Sequence, residues 1–342
     1  MPPEWVPHAR TWMAWPVGDT VLQGSGGAET AYSAWAAVAN TVSRFEPVTV
    51  VAPDGEAQAA RAWLDPAVEI VEHEICDSWM RDFGPTFVLE TESRLCAVDW
   101  TFNGWGGRSF PECRADALIA RLVAERAGAR RIASKLVNEG GAVHVDGEGT
   151  VLLTESVQLN PNRNPNWTRD EVEAEIHALL GTRKAIWLPR GLAADYGRAG
   201  TDGHVDTLAA FARPGVVLTH RQPDPAHPDH AITADNIARL EKATDARGRR
   251  LEVIPLDAPA PRTGADGAPL SLSYVNFAFV NDGVIACAFD DPRDEQVATL
   301  FRRLFADRRV VQLPSVRIFE GGGGIHCITQ QEPAAVAVPG AA

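Results

Sequence analysis

No apolar run in this 342-residue sequence approaches the ~20 residues that a membrane-spanning helix needs. A helical membrane protein is therefore excluded. The first residues, Met1 to His8, show neither a basic start nor an apolar core, so secretion is not expected. Cysteines are few and odd in number: Cys76, Cys96, Cys113, Cys287 and Cys327. They form no Cys-x-x-Cys pair and no zinc-like spacing, and they are too sparse for a disulfide framework in a chain this long. Reduced thiols in a cytoplasmic protein are the expectation, with no metal site indicated. Basic residues are also short, 32 against 45 acidic, giving a net charge of -13. A chain with no basic stripe argues against nucleic acid and favours small cationic partners. With 45% hydrophobic and 23% charged residues, the composition is that of a folded globular protein.

What is present is a recurring supersecondary unit. Residues 143–154 alternate as a hairpin around Asp146-Gly147-Glu148-Gly149. A helical period follows over 168–180, opened by Thr168 with Glu171 three residues later, and then a short apolar strand at 184–188. The order returns as a hairpin at 205–220, a helix at 231–245 and a strand at 251–256. It returns again at 274–289, 294–305 and 309–313. Residues 85–99, 115–127 and 132–137 fit the same frame, and 31–72 fit it less regularly. Short echoes fall in register: His144-Val145-Asp146 reappears 60 residues later as His204-Val205-Asp206. A period of this length suits a propeller-like ring of five α/β modules. The alternative on pattern alone is an ordinary α/β sandwich. No linker divides the chain convincingly, so one domain over 1–342 is expected, with the small, Pro-containing tail 333–342 fraying.

In such a ring the loops after each unit's last strand converge at one end. Those loops carry the unusual residues, as expected of functional groups on a rigid scaffold. Cys327 follows four glycines and is the candidate nucleophile, an exposed thiol whose thiolate neighbouring N–H groups would favour. The competing reading is a buried, inert cysteine, which is where the other four are left. His204, placed at the opening of a strand, could act as general acid to a leaving amine and then as base to water. Its competing reading is a structural histidine. Asp82 and Asp206 could form a carboxylate pair, which repels itself unless a cation is bound; a planar guanidinium fits best. Alternatively, Asp82 pairs with an arginine and Asp206 is a strand-edge charge. Glu139 could orient the histidine or merely cap a turn. Trp79 could wall a cation, although most of the ten tryptophans will be core. His144 and His326 have weaker claims; His326, beside the nucleophile in a strand, would point away and pack or hydrogen-bond behind the site.

Taken together, several segments resemble the agmatine deiminase and bacterial peptidylarginine deiminase family. They are Pro3-Glu-Trp5-x-Pro-His8-x-x-Thr-Trp12-Met-Ala-Trp-Pro16, Asp77-Ser-Trp-Met-Arg-Asp-Phe-Gly-Pro-Thr-Phe-Val88 and Val98-Asp-Trp-x-Phe-Asn-x-Trp-Gly-Gly107. The likeness continues through Glu139-Gly-Gly-x-x-His-Val-Asp-Gly-Glu-Gly149, Leu159-Asn-Pro-Asn-Arg-Asn-Pro165, Asp202-Gly-His-Val-Asp206, Ser273-Tyr-Val-Asn-Phe277 and Gly321-Gly-Gly-x-Ile-His-Cys-Ile-Thr-Gln-Gln331. The resemblance implies the pentein fold, an α/β propeller of five ββαβ modules with pseudo-fivefold symmetry. It implies guanidine hydrolysis through a covalent thiol intermediate, without metal or organic cofactor. Cys327 would be the nucleophile, His204 the general acid/base, Glu139 its support, and Asp82 and Asp206 the guanidinium holders. Trp79 and Asn276 would line the substrate site. For agmatine the product would be N-carbamoylputrescine, a step in polyamine and putrescine chemistry.

Gly324 stands where these deiminases usually carry Asn, Val157-Gln158 replaces a usual Cys-Leu, and Tyr196–Thr201 differ from their acidic stretch. Distal-group recognition is therefore left open between agmatine and free or peptidyl arginine. An amidinotransferase would share the thiol, and a non-catalytic guanidinium-binding scaffold or a His/Cys/Asp metalloenzyme are readings from other classes. Homo-oligomerisation is left open, and neither nucleic acid nor membrane is an expected partner.

Overall fold

A computed structural model describes residues 1–91, 94–107, 114–197 and 200–335. The expectation of a frayed tail falls mostly outside them. The unit read over 143–188 shows how the local sequence builds each module. Strands His144–Val145 and Thr150–Thr154 pair antiparallel. Between them Gly147 and Gly149 take φ of 74° and 109°, values that a side chain would strain. Asp146 fastens the turn by accepting from the Glu148 and Thr150 amides at 2.7 and 2.8 Å. The helix Arg169–Leu180 opens on a complete capping box between Thr168 and Glu171 and ends at left-handed Gly181. Val172, Ile176 and Leu180, four residues apart, form its buried stripe. Strand Lys184–Leu188 then runs parallel to Thr150–Thr154.

The same order is found in three more modules. One comprises Thr86–Thr91, Arg94–Thr101, the helix Ile119–Arg126 and Arg130–Val137. The next comprises Ala209–Arg213, Val216–Arg221, the helix Asp229–Lys242 and Glu252–Asp257. The last comprises Ala278–Val280, Gly283–Ala288, the helix Arg293–Leu304 and Arg309–Pro314. In every case the first pair is antiparallel and the strand after the helix is parallel.

The N-terminal module takes its antiparallel strand from the other end of the chain. Gln330–Pro333 pairs with His8–Ala14 in the register Arg10↔Glu332 and Trp12↔Gln330. Behind it the helix Gly27–Val42 connects to parallel strands Val48–Ala52 and Glu69–Glu72. The five sheets share no strand, and apolar side chains of neighbouring modules merge into large buried clusters between them. This is the five-module propeller read from the repeats. Among the described residues no helix is long and apolar enough to cross a membrane.

Three expectations change. Residues 205–207 form a single 3-10 turn, and the strand begins only at Ala209. The physical reason is the preceding kink, where Asp202 and Gly203 take φ of 68° and 106°. His326 and Cys327 lie in a turn rather than a strand, so their side chains do not alternate. Finally, Cys76 is disulfide-bonded, whereas Cys96, Cys287 and Cys327 are free. A wholly reduced set of thiols is thus corrected.

Candidate active site

Each loop after a module's last strand delivers polar side chains to one place. Asp82 arrives on the short helix Met80–Phe83, and Glu139 follows Arg130–Val137. His204 caps the 3-10 turn and Asp206 lies within it, Asn276 precedes Ala278–Val280, and Cys327 lies before the closing strand. All six are buried. Gly141 marks their meeting point: a Cβ there would lie 2.6 Å from His204 Nδ1, 2.8 Å from Asp82 Oδ1 and 2.9 Å from Asp206 Oδ2. Only glycine leaves these three groups together.

The thiol of Cys327 accepts from Asn276 Nδ2 at 3.2 Å and donates to Asp206 Oδ2 at 3.4 Å. Asn276 in turn takes the His326 amide on its Oδ1 at 3.0 Å, so its orientation is set. Burial, followed by the carboxylates of Asp206 and Asp82, holds the thiol well above its ordinary range. Cys327 is thus a buried, protonated thiol, not the exposed, ready thiolate expected from the glycine run. Trp79 packs close by, since a Cβ on Gly323 would meet both its ring (2.8 Å) and Cys327 Sγ (2.9 Å).

His204 Nε2 lies 3.3 Å from Glu139 Oε2, while Nδ1 has no hydrogen-bond partner and lies 3.6 Å from Asp82 Oδ1. Burial alone would lower its pKa, but the carboxylates of Asp82, Glu139 and Asp206 raise it to about 9. The ring is thus a protonated donor with one nitrogen free. Asp82 accepts from the Trp105 indole at 2.8 Å and the Gly141 amide at 3.0 Å. Burial nevertheless raises it to about 6. Asp206 keeps a lowered pKa: burial opposes ionisation, but contact with His326 overrides it. Its Oδ2 is occupied, whereas its Oδ1 is buried without a partner. This cluster combines a thiol, a protonated imidazole and two carboxylates with unspent acceptor capacity. Such a set can hold a planar cation and attack its carbon.

The sequence profile of the family described as Porphyromonas-type peptidyl-arginine deiminase matches residues 1–333. The chain belongs to this family. A Streptomyces avermitilis relative is 57% identical over 97% of this chain and 96% of its own length. The agmatine deiminase of Stutzerimonas stutzeri is 42% identical over 98% of this chain and 95% of its own. Among solved structures, the agmatine deiminase of Enterococcus faecalis superposes with a TM-score of 0.92 at 35% identity, covering 98% of this chain and 96% of that one. The pentein fold of this deiminase family is accordingly the fold of the chain.

Two supports of the deiminase site carry no assigned role in the sequence reading, although both lie in quoted motifs. Arg163 is fully buried and donates to both oxygens of Glu139 at 2.9 and 3.1 Å, to Asp202 Oδ2 at 2.8 Å and to Thr201 O at 2.8 Å. It neutralises the carboxylate beneath His204 and ties down the loop that carries it. Arg163→Met leaves buried Glu139 with His204 as its remaining charged partner and takes a charged donor from buried Asp202; we expect a loss of about 3–5 kcal/mol in urea unfolding. Trp105 adopts φ of 53°, rare for a bulky residue, and spends that strain on its bond to Asp82. Trp105→Phe removes the donor and raises Asp82 further. kcat/KM should fall about tenfold, and its acid limb should move to higher pH. Arginine-rich loops and extra tryptophans are common, so composition gave no signal for either. Gly324, by contrast, has a clear cause: a Cβ would lie 2.4 Å from Asn276 Oδ1 and 2.7 Å from the Phe319 ring. The Asn expected there from the resemblance has no room.

Proposed function

We propose that the chain deiminates agmatine, releasing ammonia and N-carbamoylputrescine through a covalent intermediate on Cys327. The observation that carries this reading is the convergence of Asp82, Asp206 and His204 on Gly141 beside the Cys327 thiol, with Asp206 Oδ1 and His204 Nδ1 unpartnered. The agmatine deiminases named above supply the substrate.

Entry of a guanidinium offsets the two carboxylates that hold the thiol protonated, so the thiol gives its proton to solvent and the thiolate forms as the cation binds. Asp82 and Asp206 hold the guanidinium plane. The Cys327 thiolate adds to the guanidinium carbon, and His204 Nδ1–H protonates the departing nitrogen, which leaves as ammonia. The resulting S-alkylthiouronium is attacked by water that gives its proton to His204. Collapse breaks the C–S bond, the remaining hydroxyl proton passes to the departing sulfur to restore the thiol, and the ureido product is left. Arg163 holds Glu139 ionised and in place, Glu139 keeps His204 oriented and charged, and Asn276 and Trp79 position the thiol and the cation. The whole chain acts as one catalytic domain in this reading. Cytoplasmic localisation belongs to this reading as well.

The test is ammonia release from agmatine, free arginine and a peptidyl-arginine. Turnover of agmatine in clear preference, with equimolar N-carbamoylputrescine, is the expected result. Preference for another guanidine would keep the chemistry and reassign the substrate, and silence with all three would refute the proposal.

A further inference from the structure

Behind Asp206 lies buried charge that the chemistry above does not use. His326 sits between two carboxylates, with Nδ1 2.9 Å from Asp206 Oδ2 and Nε2 2.8 Å from Glu4 Oε1. All three residues are buried. A neutral imidazole has one N–H and one bare lone pair, so it would set that lone pair against a carboxylate. Only the imidazolium donates at both ends. The contact joins residues 322 positions apart, one in the N-terminal segment and one beside the nucleophile.

That segment is firmly seated. The Glu4 carbonyl accepts from His8 Nε2 at 2.8 Å, and Arg308 Nη2 donates to Trp5 O at 2.6 Å. Pro3 fills the space beside Gly147, where a Cβ would lie 2.4 Å from its Cδ. The other charged or titratable groups facing this pair are Arg81 and His144. Arg81 Nη1 lies 3.5 Å from Glu4 Oε1, and its Nε donates to His326 O at 3.3 Å. His144 Nε2 lies 3.8 Å from Glu4 Oε2, its ring 6.3 Å from that of His326. Burial pushes His144 down to about 4, so it stays neutral. Arg81 opposes a cation on His326; Glu4 and Asp206 sustain it.

We propose that Glu4 is a positioning residue for the reaction: it holds His326 as an imidazolium, which fixes Asp206 as a carboxylate with Oδ2 engaged and Oδ1 free for the guanidinium. The kinetic part of this inference rests on the deiminase reading above; the state of His326 does not. Glu4→Gln keeps the shape and removes the charge. Arg81 then faces His326 without compensation, and the imidazolium loses one of its two counter-charges. KM for agmatine should rise about tenfold while kcat changes by less than about threefold, because the lost interaction serves binding.

Histidine 15N NMR supplies a readout that a merely structural role would not move. The His326 signal is assigned by its loss in His326→Asn. In the wild-type protein both His326 nitrogens should carry protons at pH 7, and in Glu4→Gln the ring should titrate at a lower pH. A bare His326 nitrogen in the wild type at pH 7 overturns the proposal, even if Glu4→Gln fails to fold. So does an unchanged KM or an unchanged titration in a folded Glu4→Gln protein. An intact imidazolium signal with no turnover of any guanidine would instead sink the deiminase reading.

Discussion

Cys327→Ala abolishes ammonia release from agmatine, by at least about 10⁴-fold, with the melting temperature unchanged. The expectation of so large a loss follows from position. The thiol is buried between Asn276 Nδ2 and Asp206 Oδ2, beside the point where His204, Asp82 and Asp206 meet. The alanine variant should still bind agmatine, because Asp82 and Asp206 are untouched and lose only a proton-sharing neighbour. Isothermal titration on that variant therefore separates binding from chemistry. A residual rate within about tenfold of wild type would mean that water attacks directly and the thiol is a bystander.

His204→Gln comes next in size, with a fall in kcat of about 10²–10⁴-fold. Its diagnostic is the pH profile. In the native protein His204 is held at about 9, burial opposing and three carboxylates overriding. It must be protonated to release ammonia, so kcat/KM declines as pH rises through about 9. Asp82, raised to about 6 chiefly by burial, must be ionised to hold the cation, so kcat/KM declines as pH falls through about 6. The wild type should give a bell between these limbs. In His204→Gln the alkaline limb disappears. The acid limb moves upward, because the positive charge that lowers Asp82 is gone. An alkaline limb that survives the substitution would assign proton delivery to another group.

The repeating frame was legible because its signals are local. Thr168 with Glu171 writes a capping box, Asp146-Gly147-Glu148-Gly149 writes a turn, and apolar residues four apart write a buried stripe. Cys327, His204, Asp82 and Asp206 were legible for a different reason: thiol, imidazole and carboxylates on glycine-rich loops are costly unless used. The partners were harder to see. That Arg163 lies under Glu139, or that Trp105 twists into a left-handed conformation to reach Asp82, depends on which loops meet across the ring. His326 shows the limit most clearly. Strand alternation would turn it away from Cys327, yet in the turn both side chains reach the same oxygen of Asp206. The disulfide at Cys76 was likewise invisible to spacing.

The covalent step can be observed directly by acid quench during turnover of agmatine, followed by mass spectrometry of the peptides. The predicted result is a Cys327 peptide heavier by agmatine less ammonia, appearing within the first turnover and vanishing when substrate is exhausted. Full turnover with Cys327 unmodified at every quench time, or the same adduct on a different residue, would contradict a thiol-centred deiminase.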